Sequence, residues 1–470
     1  MPPVTDRADD REPDRDRDAL KLAIVVVTTL AVCGLVVFHV TGVNGSPYHR
    51  WPWRWIDPLR VYPAMLLLAA PAVVAQWLVG GRGIKAAYGV PLLVASCFGL
   101  QLYAAGVRRE PFDLAGHLVA VLNEPRTTSY FGDARFLYER RGDVRGWLAA
   151  HPRLMQHYNL HSRQKPPGPI LYYWLWLRLL DNADRAAVAG AVALGVVASL
   201  GVAAVYLFAV LLTRNDRAAF FAATWFALMP ATTLFFPTFD ACYPIFTCAM
   251  AGAWLLALRS GRVRWAVGFG AALAVALFFS FSLLVLGALL IGWAVLEIAH
   301  DGRASLRRVM IASGAASLTM IGIYLILWLA TGYDPIATFT SALRNQAALE
   351  ATFTIPRPYP RTIPTDLLDF FLGSGWVSAL LLLFWLTRAQ FRAHAHVVIG
   401  LASVATVALT GLLACETSRV WLFLQALVML PLGLELARWG SWSRTIVFAC
   451  LVLLTGAVAQ NMELLSPLLP

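Results

Sequence analysis

Apolar residues run in long stretches along this chain, and polar residues gather in the short gaps between them. A helix needs about 20 apolar residues to cross a hydrocarbon core of ~30 Å, and somewhat fewer where flanking side chains reach back to the interface. Thirteen stretches approach that length: 20–40, 62–79, 87–106, 186–212, 218–236, 240–258, 265–280, 283–299, 309–331, 367–386, 395–414, 420–437 and 445–461. Backbone groups in lipid must be satisfied within their own segment, so the pattern predicts an all-α, polytopic transmembrane helix bundle of thirteen spans. One further run, 170–180, would be only about 16 Å long as a helix and carries Arg178, too short and too charged to span. Its Tyr172, Tyr173, Trp174 and Trp176 suit a juxtamembrane helix lying at headgroup level.

Loop charge sets the expected orientation, because short cytoplasmic loops are rich in Lys and Arg. With the N-terminus inside, the inner loops hold Arg82 and Lys85; Arg214 and Arg217; Arg259, Arg262 and Arg264; Arg303, Arg307 and Arg308; Arg388 and Arg392; Arg438 and Arg444. The outer connections carry fewer, chiefly Arg50, Arg54, Arg60 and Arg419. Counting 170–180 as a span would invert every later loop. The expected organisation is therefore a charged, disordered cytoplasmic tail (1–19), three spans (20–106), a large external loop (107–185), a six-span core (186–331), a second external loop (332–366) and four spans (367–470) ending outside. The tail lacks the apolar core and cleavage site of a signal peptide, so the first span is kept.

Composition agrees: 59% of the 470 residues are apolar and only 14% charged, which excludes a soluble globular domain. A net charge of +11 would suggest nucleic acid in a soluble protein. Here the cations lie in short loops as topology signals, so membrane lipids are partners and nucleic acid is not. The six cysteines stand singly, without metal-type spacing, and read as packing residues.

Both long loops and the turns 236–240 and 415–419 fall on the outer side, so the scarce polar residues converge there. In "SYFGDARF", Asp133 reads either as a turn or helix cap or as a general base whose carboxyl is tuned at the mouth of an apolar cavity. In "HSRQKPPGPILYYW", His161, Arg163 and Lys165 precede a rigid Pro-Pro-Gly-Pro stretch. They are either interfacial anchors at a helix start or cations held over the membrane surface where a lipid phosphate sits. Asp240 in "FFPTFDACYP" suits a helix N-cap as well as a site carboxylate. Glu416 and Arg419, three residues apart at the outer end of a late helix, are either a local ion pair or site residues. The second long loop offers Arg357 and Tyr359 to a phosphate or a sugar, or to the interface.

Four motifs in chain order, "GDARF", "KPPGPILYYW", "PTFD" and "ETSRVW", together resemble the GT-C superfamily of integral-membrane glycosyltransferases. The chain is most similar to actinobacterial members related to the mannosyl and aminoarabinose transferases. The resemblance implies inverting transfer of a sugar from a polyprenyl-phosphate donor to an acceptor hydroxyl on a glycan, lipid or protein, at the outer face of the cell membrane. It gives Asp133 the role of first-loop catalytic Asp, Lys165 that of the cation facing the lipid phosphate, Asp240 that of the second-loop acid and Arg419 that of the late external cation. Asp133 follows the third apolar run where the family's Asp follows the first. It also lacks the neighbouring second acid of many relatives, which leaves a divalent metal open. The rival class is a multi-span transporter or lipid flippase, which would place ionisable groups near the bilayer midplane and often show paired repeats; no repeat is visible in this chain.

Overall fold

The computed structural model describes residues 15–46, 48–125, 130–140, 142–351, 359–388 and 394–465. These form an all-helical bundle. The one named sheet among them is a two-stranded antiparallel ribbon, Gly45–Ser46 with His49–Arg50.

Every one of the thirteen apolar stretches is helical, but they are not equally long. Among the described residues, eight helices have the length and apolarity to cross a membrane: Asp18–Val37, Pro58–Arg82, Ala86–Gly106, Ala183–Thr213, Phe239–Ser260, Phe281–Asp301, Arg303–Thr331 and Ser441–Asn461. The stretch 367–386 is instead a bent pair, Ile363–Ser374 and Val377–Leu386, turning through 104°. Gly375 makes the bend with φ +77°, a conformation closed to most side chains. If the pair counts as one span, the total is nine. The stretch 218–236 divides at Pro230 into Asp216–Leu228 and Pro230–Leu234, since proline cannot continue the preceding helix. The remaining three, Val263–Phe279, Ala395–Thr410 and Leu422–Leu436, have 17, 16 and 15 residues.

Burial sorts these helices into layers. All residues from Ala218 to Leu228 are buried, as is nearly all of Leu422–Leu436, and these two helices pack together in the centre. Arg303–Thr331 is the opposite case: Leu318, Ile326 and Leu329 on it are more than 60% exposed, an apolar surface suited to lipid in a helix of spanning length. Of the six cysteines, all but Cys33 are buried.

Leu422–Leu436 also separates two polar clusters, because it spans about 22 Å. At its far end Glu435 is fully buried and accepts from Lys21 Nζ (3.0 Å), Arg388 Nε (2.6 Å) and Nη2 (2.7 Å), and Trp439 Nε1 (3.0 Å). Such a multiply bonded carboxylate is itself buried with its charge matched by the buried Lys21 and the half-buried Arg388. At the other end stands Arg419.

Gly168–Leu180 is a 13-residue helix, too short to span, as its length predicts. Tyr173, Ile170 and Leu177 face inward, and the Tyr172 hydroxyl donates to the Gly190 carbonyl at 2.7 Å. Gly168 opens the helix where a Cβ would lie 2.4 Å from the Phe278 carbonyl oxygen, so only glycine permits this approach. The close seat brings the residues just before it, including Lys165, to the end of Val263–Phe279.

Candidate functional site

Lys165 sits in extended backbone between a short 3-10 turn, Ser162–Gln164, and Gly168–Leu180. Its Nζ donates to Ser280 Oγ at 3.0 Å and Ser282 Oγ at 3.3 Å, and it stands 5.9 Å from the centre of the Tyr243 ring. Burial pushes the amine below its ordinary value. Asp240 opposes that shift, and Arg419 adds to it.

Asp240 lies in the turn Phe239–Cys242 and faces Arg419, with 3.7 Å between Oδ2 and Nε. Arg419, 8% exposed, also pairs through Nη2 with Glu416. Lys165 and Arg419 therefore approach Asp240 from the first large loop and from a late turn, elements more than 250 residues apart. A buried cation, Arg419, and a half-buried one, Lys165, interleaved with carboxylates are suited to exchange a carboxylate partner for an anionic ligand.

The late turn is held by Ile363–Ser374. Asp366 and Asp369, one helical turn apart and both buried, face it. Asp366 Oδ1 accepts from the Cys415 amide at 2.8 Å, and its carbonyl accepts from the Thr417 hydroxyl. Asp369 accepts from the Ser418 amide (3.0 Å), the Ser418 hydroxyl (3.1 Å) and the Trp51 indole (2.7 Å). Leu413, Cys415 and Glu416 have φ of 57°, 68° and 50°, left-handed positions that cost of order 1–3 kcal/mol each and persist only when the surroundings hold them.

Asp133 occupies the first turn of Tyr130–Glu139. It accepts from the Asn159 amide (3.3 Å) and side chain (3.1 Å), with Ser162 a further donor and Arg163 a nearby cation. Burial outweighs all of these and lifts its carboxyl to about 6. Tyr130, one turn earlier on the same helix, packs edge-on to Phe239 at 5.5 Å, and Phe131 packs edge-on to Tyr173 at 5.5 Å. The Asp133 helix thus rests on the Asp240 turn and on Gly168–Leu180.

Of the residues singled out in the sequence, Lys165, Asp240, Glu416 and Arg419 come together, and Asp133 belongs to the adjoining helix. Arg163 does not join them: its Nε donates to the Tyr158 carbonyl at 2.6 Å, and its own carbonyl accepts from Asn345 at 2.8 Å. His161 is half-buried at the start of the 3-10 turn. Tyr359 is exposed, donates to the Leu409 carbonyl at 2.5 Å and lies against Gly411, on the end of another helix. Arg357 lies outside the described residues. Among the described residues, no group of three His, Cys, Asp or Glu side chains is placed to hold a metal. Sequence reasoning missed Asn159, Ser162, Ser280 and Ser282, ordinary polar residues whose importance is purely spatial. It also missed Asp366 and Asp369, for which the three-residue spacing of two acids in an apolar helix was an available signal.

No family model and no curated protein sequence matches the chain. Among solved structures, the crystal structure of ArnT from Cupriavidus metallidurans bound to undecaprenyl phosphate is similar at 14% identity and a TM-score of 0.45. The match covers 76% of this chain and 62% of that one.

Proposed function

We propose that the protein is an integral-membrane glycosyltransferase that moves a sugar from a polyprenyl-phosphate donor to an acceptor hydroxyl, with inversion, at the extracytoplasmic face. The observation that carries this reading is the convergence of Lys165 and Arg419 on Asp240, beside a helix whose Asp133 carboxyl titrates near 6. The two cations receive the donor phosphate. An acceptor oxygen attacks the anomeric carbon from the face opposite that phosphate while its proton passes to the Asp133 carboxylate. The bond between anomeric carbon and phosphate oxygen breaks with its electrons on the phosphate, where Lys165 and Arg419 meet the new charge. The motif order of the sequence and the rigid seat of Lys165 on Gly168 support the same assignment.

Lys165→Ala tests the phosphate site. Donor affinity is expected to fall by about tenfold to a hundredfold with the fold intact, since a charge-assisted hydrogen bond contributes about 1.5–3 kcal/mol. Titrating a polyprenyl-phosphate sugar into wild type and variant reads it directly, and equal affinities would remove Lys165 from the site.

The extracytoplasmic placement rests on loop charge and has its own test. Single cysteines near Asp133 and Tyr359 are expected to react with an impermeant thiol reagent added to intact cells, and cysteines in the Arg262 loop are expected to stay unlabelled. Labelling at the Arg262 loop reverses the orientation.

A further inference from the structure

The segment joining the first two helices reaches into this cluster. Its ribbon pairs Ser46 with His49 and Gly45 with Arg50, and Asn44 fastens the return strand. The Asn44 side chain donates to the Trp51 carbonyl, and the Trp51 amide donates to the Asn44 carbonyl, both at 2.8 Å. Trp51 is 4% exposed and anchored at both ends: its indole N–H donates to Asp369 at 2.7 Å, and its ring leans on Phe235 at 5.3 Å. With Trp51 fixed, His49 stands edge-on to it at 4.6 Å and places Nδ1 3.7 Å from Glu416 Oε1. The other Glu416 oxygen, Oε2, pairs with Arg419 Nη2. One carboxylate is thus divided between His49 and Arg419.

The charge count gives this division a consequence. With His49 neutral, two cations, Lys165 and Arg419, face three carboxylates, Asp240, Glu416 and Asp369. An anionic ligand entering there meets an excess of negative charge. Two anions face the imidazole, Glu416 from the late turn and Asp369 from Ile363–Ser374, while Arg419 lies beyond Glu416 and the neighbouring Arg50 is exposed. A proton on His49 therefore meets favourable charge on both sides and draws Glu416 away from Arg419.

We propose that His49 is a positioning residue that couples proton uptake to binding of the donor phosphate: protonated, it engages Glu416 and leaves the Arg419 guanidinium to the incoming anion. The inference rests on the donor-phosphate reading above. Chemically it is a proton taken from solvent by the imidazole, with no other bond made or broken. Coupling between two such sites changes affinity by a factor of about 5 or more.

The test uses the full chain in detergent micelles and a polyprenyl methyl phosphate, a diester whose single charge does not titrate near neutrality. Its affinity for the wild type is expected to rise about five- to tenfold between about pH 8 and about pH 5.5, across the ordinary range of histidine. His49→Gln should hold the weaker, high-pH affinity throughout. Glu416→Gln removes the competing carboxylate and should hold the tighter affinity throughout. Asp133 also titrates near 6, so Asp133→Asn is measured alongside and should keep the slope. A slope that persists in His49→Gln, or one that vanishes in Asp133→Asn alone, overturns the coupling. If His49→Gln does not fold, Glu416→Gln decides, and a surviving slope there has the same meaning. Wild-type binding without a slope sinks this inference alone, whereas no binding at any pH sinks the donor reading with it.

Discussion

Replacing Asp133 with Asn is expected to lower sugar transfer by about 10² to 10⁴ while donor affinity stays near wild type, the signature of a lost general base. Asn keeps the shape and can still accept from Asn159 or Ser162, but it cannot take the acceptor's proton. The same reasoning fixes the pH dependence. Burial raises the Asp133 carboxyl to about 6, so the wild-type rate should fall as pH drops below about 6 and level off above it. That acid limb should be missing from the residual activity of the variant. Stability should move the other way. Because the folded carboxyl sits above its unfolded value, the native state binds the extra proton between roughly pH 4 and 6, and folding is weaker once the group ionises. Asp133→Asn removes that cost, so its melting temperature at neutral pH should equal or exceed that of wild type. A variant that transfers sugar normally would shift the base to Asp240, and one that melts far below wild type would make Asp133 a structural cap.

Asp369→Ala should act in the opposite sense, on the fold first. The substitution strands the Trp51 indole N–H and the Ser418 amide and hydroxyl inside a buried turn. Each unsatisfied buried polar group costs about 1–3 kcal/mol, so a loss of about 3 kcal/mol or more is expected. The turn it releases carries Glu416 and Arg419 and contains three residues in left-handed conformations, so donor binding should weaken along with stability. Asp369→Asn keeps an acceptor for Trp51 or Ser418 and should recover part of both. Thermal melting and donor titration on the same samples separate the outcomes, and an Asp369→Ala protein that melts like wild type would show that the turn holds itself.

Much of this was legible in the chain. Apolar run length located the long helices, and the brevity of 170–180 marked it as something other than a span, but the helices Leu114–Asn123, Tyr130–Glu139, Val144–Leu154 and Pro335–Glu350 inside the two long loops were not legible from it. What run length could not give was which helices are central. Asp216–Leu228 and Leu422–Leu436 are surrounded by protein, and a hydrophobic run reads the same whether protein or lipid covers it. The sharp bend at Gly375 was equally hidden, since one glycine in an apolar run does not announce a turn of 104°. In the site, Lys165, Asp240 and Arg419 were visible because ionisable residues are scarce in such a chain. His49 and Trp51 were not, because the pairing of the first loop with the turn after 414 is a long-range contact without local periodicity.

The pairing of Lys21 with Glu435 has a consequence for biogenesis. The helix Arg15–Val37 packs against Ser441–Asn461 and buries its lysine on a residue made more than 400 positions later. At about 5–20 residues per second, that partner is tens of seconds away. During this interval the nascent first span rests in lipid with an unmatched ammonium near its end, able to snorkel to the interface. A ribosome stalled before Glu435 therefore leaves an inserted chain whose Lys21 has not yet met its carboxylate.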